Sequence, residues 1–204
     1  MIKLFKRLFA LALVLTVVIG VLVFPYIKEG WHMYTQATEQ MPIEQKVEEI
    51  RAQDGYTSFE DISPVFTDTL LASEDRRFYS HHGFDIISFT RAMAANVFTA
   101  SFSQGGSTIT QQLAKNMYFS FDKQIERKVA ELLMAFKLEN MYTKEEILSL
   151  YCSVAYFGQN CYGVKHAAGY YYSTEPYLLN EQQSKELVRA LKAPSVYNPS
   201  TMYR

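Results

Sequence analysis

Cysteine is scarce in this chain: Cys152 and Cys161 are the only two among 204 residues. Two cysteines do not make a disulfide framework, and they read equally as one bridge or as two buried thiols. No C-x-x-C or H-x-x-x-H spacing occurs. His81 and His82 are neighbours, so a regular helix cannot turn both toward one ion. A pattern for a structural metal is therefore missing. Charge of one sign is missing too: 20 Lys and Arg stand against 21 Asp and Glu. Nucleic-acid binding wants a basic excess, so no nucleic-acid partner is expected. No internal repeat and no low-complexity tract interrupts the chain, which excludes a solenoid or a long disordered tail.

Apolar residues are plentiful, at 49% of the sequence, so one domain of ordinary size can bury a core. Their distribution is uneven. Lys3, Lys6 and Arg7 precede an uncharged run over 8–27. Roughly 20 apolar residues is the length of a helix that crosses a bilayer. A cleaved signal would have a shorter apolar region and a small-x-small site. This run ends instead at Val23-Phe24-Pro25-Tyr26. It reads as a retained anchor, with residues 1–7 cytoplasmic by the positive-inside rule and the remainder outside the membrane. Residues 28–58 read as a polar juxtamembrane connection, and 59–204 as the folded domain.

Helical signals dominate that domain. Residues 43–51 fit a short helix with Ile43, Val47 and Ile50 on one side. Gly55 to Phe59 has the look of a short strand. Ser63-Pro64 starts a helix predicted to reach Phe78. Asp85 caps another, with Ile86, Phe89, Met93 and Val97 predicted to face inward. Gly105-Gly106-Ser107-Thr108 is a turn feeding a helix to about Tyr118. A longer helix covers about 124–141, with Val129, Leu132, Leu133 and Phe136 as its predicted buried stripe. Thr143 and Glu146 form a capping-box pattern at the next helix start. Further helices fit 162–172 and 181–193. The class is mainly α.

Three clusters carry possible chemistry. Glu74 and Asp75 end an apolar segment containing Val65, Phe66, Leu70 and Leu71. They are either an ordinary charged helix end or a carboxylate placed to move a proton. Residues 105–116 combine a helix N-terminus, which attracts anions, with Ser107, Gln111, Gln112, Lys115 and Asn116. That set is a polar surface or one wall of a cleft. Arg127, Lys128 and Glu131 are spaced i, i+4 and i, i+3. They make either a surface ion-pair helix worth tenths of a kcal/mol per pair or a carboxylate flanked by cations that grip a diphosphate.

Together these segments resemble the peptidoglycan glycosyltransferases, a lysozyme-like family found as monofunctional enzymes and as a module of class A penicillin-binding proteins. The resemblance runs from about Phe59 to Pro199. Its motifs read Glu74-Asp75-x-x-Phe78-x-x-His81-x-Gly83, Gly106-Ser107-Thr108-x-Thr110-Gln111-Gln112-Leu113-x-Lys115-Asn116 and Arg127-Lys128-x-x-Glu131. Lys144-x-x-Ile147-Leu148-x-x-Tyr151 with Gly158, and Gly163-Val164-x-x-Ala167-Ala168-x-x-Tyr171, follow in order.

The resemblance implies that Glu74 is the catalytic base and Glu131 a second essential carboxylate. Glu131 would orient cations, hold a divalent ion such as Mg or Mn, or assist the leaving group. It implies diphosphate and donor binding by Lys115, Arg127, Lys128, Ser107, Gln111 and Gln112. It leaves Asp75, Phe78, His81, Gly83 and Asn116 to brace the site. Its substrate would be lipid II and the growing glycan chain, its place the outer face of a bacterial membrane as a single-pass protein, and other cell-wall synthesis proteins its further partners. An apolar patch that admits lipid would draw on Phe98, Phe102, Met117, Tyr118 and Phe119. No cofactor is required.

Two departures stand out. Motif four usually reads Tyr-Leu-Asn, and here Tyr151-Cys152-Ser153 replaces it. A serine makes fewer hydrogen bonds than a buried asparagine. Motif five usually ends Tyr-Phe-Gly, and here it is Tyr171-Tyr172-Ser173. The Ser-x-x-Lys string at 120–123 lacks a K-T-G partner, and no transpeptidase domain is expected after Arg204. A lysozyme-like hydrolase and a non-catalytic lipid II-binding scaffold are the alternatives.

Overall fold

The computed structural model describes residues 2–99, 105–119 and 125–202. Helix α1 spans Ile2–Gln40, 39 residues, and continues through Pro25. It is long and apolar enough to cross a membrane, which takes about 20 residues. The remainder of α1 stays helical where a polar connection was expected. Its last turns lie on helix α6 (Ile125–Met141). Gly30 is buried there. A Cβ on it would stand 2.5 Å from Val129 Cβ and 2.6 Å from the Glu126 carbonyl oxygen. Glycine lets the two helix backbones touch.

Helix α2 (Ile43–Arg51) puts Ile43, Val47 and Ile50 into the core. The segment after it, from Gly55 to Tyr56, is turn and loop, not a strand, and Phe59–Asp61 forms a single 3₁₀ turn. Helix α3 (Pro64–Glu74) stops four residues short of the predicted end. Asp75 leaves helical geometry at φ −156°, and Phe78–Ser80 makes a 3₁₀ turn. That break turns motif one from a helix into a folded loop.

Helix α4 (Ile86–Thr99) differs most from its predicted orientation. Ile86, Phe89, Met93 and Val97 are 58%, 40%, 51% and 74% exposed, and Ala92 is the buried residue. The helix hangs on the domain by a narrow contact at Ala92 and Phe89, close to Gly106. Its apolar periodicity marks a face turned away from the core.

Helices α5 (Ile109–Tyr118), α6 and α7 (Lys144–Val154) form the centre. Leu113, Met134, Leu138, Leu148 and Leu150 meet there with Phe66 and Leu70 of α3. Helix α8 covers Val164–Tyr172, and α9 (Glu181–Lys192) packs on α3. Short helices α10 (Pro194–Tyr197) and α11 (Pro199–Met202) follow. Capping boxes start α5, α7 and α9, with Thr108, Thr143 and Asn180 as caps. On α6 the predicted stripe is rotated out: Phe136 is 38% exposed, and the buried line runs through Arg127, Ala130, Glu131, Met134 and Leu138.

The family-divergent Ser153 is buried and fully used. Its hydroxyl accepts the Thr57 N–H at 3.0 Å and donates to the Ser149 carbonyl at 2.7 Å. Gly163, at φ +85°, passes so close that a Cβ would lie 2.6 Å from the Ser153 carbonyl oxygen. Ser153→Ala strands the buried Thr57 N–H, which costs about 1–3 kcal/mol. A thermal melt should show Tm lowered by roughly 5 °C; an unchanged Tm would mean that the Thr57 bond is not needed. Cys152 and Cys161 are both free and buried. Burial pushes the Cys152 thiol up to about 12, so it is inert near neutral pH.

Candidate active site

Motif one is a loop held from three directions. Asp75 receives His81 Nε2 at 3.0 Å and the Ile109 N–H at 3.0 Å. The carboxylate thus ties the loop to the first turn of α5, where free backbone N–H groups favour an anion. The His81 tautomer with its proton on Nε2 is the one that satisfies this contact. Thr108 Oγ1 donates to the Gly83 carbonyl at 2.8 Å, a second tie between the loop and α5. Position 83 needs glycine, because its φ is +80° and a Cβ would also press on the Ala135 backbone. Lys144 Nζ, 4.3 Å above the Phe78 ring, donates to the His81 carbonyl at 2.9 Å and reaches Glu139 at 2.7 Å. Asp75, Phe78, His81 and Gly83 therefore hold the loop shape, with the Asp75 carboxylate fully engaged and His81 Nδ1 buried without a partner among the described residues.

Glu74, one residue earlier, escapes those ties and faces a cleft of about 800 Å³. Its neighbours there are Ser107, Gln112, Lys115, Lys128 and Glu131. Ser73 Oγ donates to Glu74 Oε1 at 3.1 Å, and Gln112 Nε2 donates to Oε2 at 3.3 Å. Both contacts leave lone pairs open to the cleft.

A charge cluster lines the same cleft. Glu131 is 0% exposed and bonded to both Arg127 and Lys128. Lys128 Nζ also donates to Ser107 Oγ at 3.0 Å. The surface ion-pair reading of this helix is thereby set aside: the pair Arg127–Glu131 lies inside, and Lys128 reaches the surface with half its side chain exposed. A fixed carboxylate beneath two cations holds them in place for an anion above. Among the described residues no group of three or more His, Cys, Asp or Glu side chains is arranged to hold a metal. A divalent ion here would have to share Glu131 with Arg127 and Lys128.

Not every sequence-predicted residue lines the cleft. Gln111 is buried, with its side-chain oxygen on the Thr108 N–H at 3.0 Å, so it caps α5. Asn116 faces a second cavity of about 280 Å³, shared with Ser153 and Tyr162. Arg127 lies beneath the wall. Three cleft cations were missed in the sequence: Arg76, Arg91 and Lys192. Arg76 adjoins Glu74 and could have been suspected. Lys192 arrives only because α9 packs on α3. Of the apolar patch, Phe98 is 88% exposed, Met117 is buried, and Phe102 lies outside the described residues, as does the string at 120–123.

Fold and site define a mainly helical domain carried on a long apolar helix, with one carboxylate facing a basic cleft and a second buried under its cations. The chain belongs to the transglycosylase family, whose match covers residues 41–204. It is 40% identical over 144 residues to penicillin-binding protein 1A of Neisseria lactamica, a stretch covering 71% of this chain and 18% of that relative. Penicillin-binding protein 1F of Bacillus subtilis (strain 168) is 39% identical over 142 residues, covering 70% of this chain and 20% of the relative. The match spans about a fifth of the length of these relatives.

Proposed function

We propose that the protein is a membrane-anchored peptidoglycan glycosyltransferase that polymerises lipid II and releases undecaprenyl diphosphate. The observation that carries this reading is the placement of Glu74, open to the same cleft that Lys115 and Lys128 line. A sugar hydroxyl is too weak an acid to attack at neutral pH, so a carboxylate takes its proton as the new bond forms. Glu74 does this for the 4-hydroxyl of the acceptor GlcNAc. The oxygen attacks the anomeric carbon of the donor MurNAc from the face opposite the diphosphate. The α-linked diphosphate leaves with its bonding electron pair, and a β-1,4 glycoside forms through an oxocarbenium-like transition state.

Negative charge grows on the leaving diphosphate, and cations fixed beforehand meet it without reorganising. Lys115 and Lys128 stand at the cleft, Glu131 fixes Lys128 and Arg127 from below, and Ser107 is held by Lys128. The exposed apolar face of α4 suits contact with lipid chains, since patches of this kind mark membrane contact. An anchor in the same membrane as the substrate makes their encounter two-dimensional, with the domain outside the cell and α1 crossing once.

The deciding experiment incubates the full chain in detergent with labelled lipid II and sizes the product on a gel. Long, lysozyme-sensitive glycan is expected. Lipid II bound without product would favour a scaffold, and cleavage of ready-made glycan would favour a hydrolase.

Lys115 gives this reading a pH signature. Burial pushes its ammonium below the ordinary lysine value; Glu131 opposes this, and Lys128 and Arg127 add to the lowering. The charged form binds the diphosphate, so binding is complete below that lowered value and is lost as pH rises through it. Lys115→Arg keeps its proton past pH 12. The alkaline limb of kcat/KM should move upward in this variant, and an unmoved limb removes Lys115 from diphosphate binding.

A further inference from the structure

Tyr151 lies in the middle of α7, 2% exposed, with its ring fixed in the core. Its hydroxyl donates to Gln112 Oε1 at 2.9 Å. Gln112 in turn donates from Nε2 to Glu74 Oε2 at 3.3 Å. The order of donors is self-consistent. A rotated amide would turn its oxygen toward the Glu74 carboxylate, oxygen against oxygen, and its nitrogen toward the phenol. The Glu74 carboxylate, which only accepts, sets which end of the amide faces it, and the phenol fixes where that amide sits.

We propose that Tyr151 is a positioning residue for Glu74, acting through the Gln112 amide. This rests on the reading of Glu74 as the catalytic base. Gln112 alone is a flexible side chain on the cleft wall, able to change rotamer and leave Glu74. With its oxygen bonded to a phenol that cannot move, the amide holds its N–H in one place beside Glu74. The Glu74 carboxylate is thereby held in one rotamer, with its remaining lone pairs toward the cleft. Geometry of this sort matters because a proton acceptor misplaced by about 1 Å loses much of its effect. Gln112 is then part of the apparatus of the base instead of a donor-sugar contact. Burial, reinforced by the Glu74 charge, pushes the Tyr151 phenol well above its ordinary value. It stays a donor well past neutral pH.

The test is a double-mutant cycle on lipid II polymerisation by the full chain. Tyr151→Phe removes one oxygen from the core and should lower kcat about tenfold, the kinetic scale of one hydrogen bond to an activating group, with KM unchanged. In a Gln112→Ala background the same change should alter kcat less than twofold, because the connecting amide is gone. An equal loss in both backgrounds would show Tyr151 acting on the fold and overturn the relay.

A second measurement separates the relay from the reaction. In protein labelled with ¹⁵N-glutamine, the Gln112 side-chain amide is assigned by its disappearance in Gln112→Ala. Its resonances should move in Tyr151→Phe and in Glu74→Gln alike. If wild type makes no polymer, the base assignment fails, and these resonances still report on the relay. Resonances unmoved by both changes would overturn it.

Discussion

Glu74→Gln should abolish polymerisation, lowering the initial rate by about 10³-fold, within the 10²–10⁴ range of general base catalysis. The change keeps the shape of the side chain and removes its capacity to take a proton. Glu74 is half-buried at the end of α3, and its contacts, Ser73 and Gln112, are at the cleft. Stability should therefore stay within about 0.5 kcal/mol of wild type. Loss of rate with an unchanged melting curve is the signature. Asp75 cannot stand in for the missing base, because its oxygens are bound to His81 and the Ile109 N–H. A rate within tenfold of wild type would remove Glu74 from the role and turn attention to the cations and their partners.

That contrast between adjacent carboxylates was only partly legible in the sequence. The string of residues from Glu74 to Gly83 marked a site, and the order of five motifs marked a family. Which carboxylate faces the cleft follows from the break at Asp75, where α3 ends early and the chain folds under α5. No periodicity encodes that break; it is made by contacts from Thr108, Ile109 and Lys144, far along the chain. Gln111 and Gln112 show the same limit. They are neighbours of one type, and helix geometry alone separates the cap from the residue at the base.

The larger misreadings concern which face of a helix is inside. Apolar periodicity in α4 was read as a core stripe, and Ile86, Met93 and Val97 are exposed. Periodicity reports an apolar face, and that face can meet lipid as well as a core. On α6 the reverse occurred. Arg127 and Glu131, which read either as a surface pair or as part of a site, lie inside, since each neutralises the other. Val129 takes a side position against Gly30, where α1 arrives. The sequence of 28–40 looks polar enough for a linker, but no residue after Pro25 breaks the helix, so α1 carries the domain directly. Helix α1 consequently touches the element that bears Arg127, Lys128 and Glu131.

Glu131 provides the second large effect, and it must be divided between folding and chemistry. Glu131→Gln removes a charge with no exposed area and leaves the buried Arg127 guanidinium without that counter-charge. Breaking a buried pair from one side costs about 3–5 kcal/mol, so Tm should fall by roughly 10 °C. Polymerisation should fall by about 10²-fold or more as well, because Arg127 and Lys128 lose the group that fixes them opposite the leaving diphosphate. The single variant cannot say which loss causes which. Pairing it with Arg127→Met removes both buried charges at once, and such replacements are often neutral or stabilising. Tm should then recover toward wild type while polymerisation stays low. Recovery of both would make Glu131 a counter-ion for folding alone. Recovery of stability without rate assigns the buried carboxylate and its cations to the reaction.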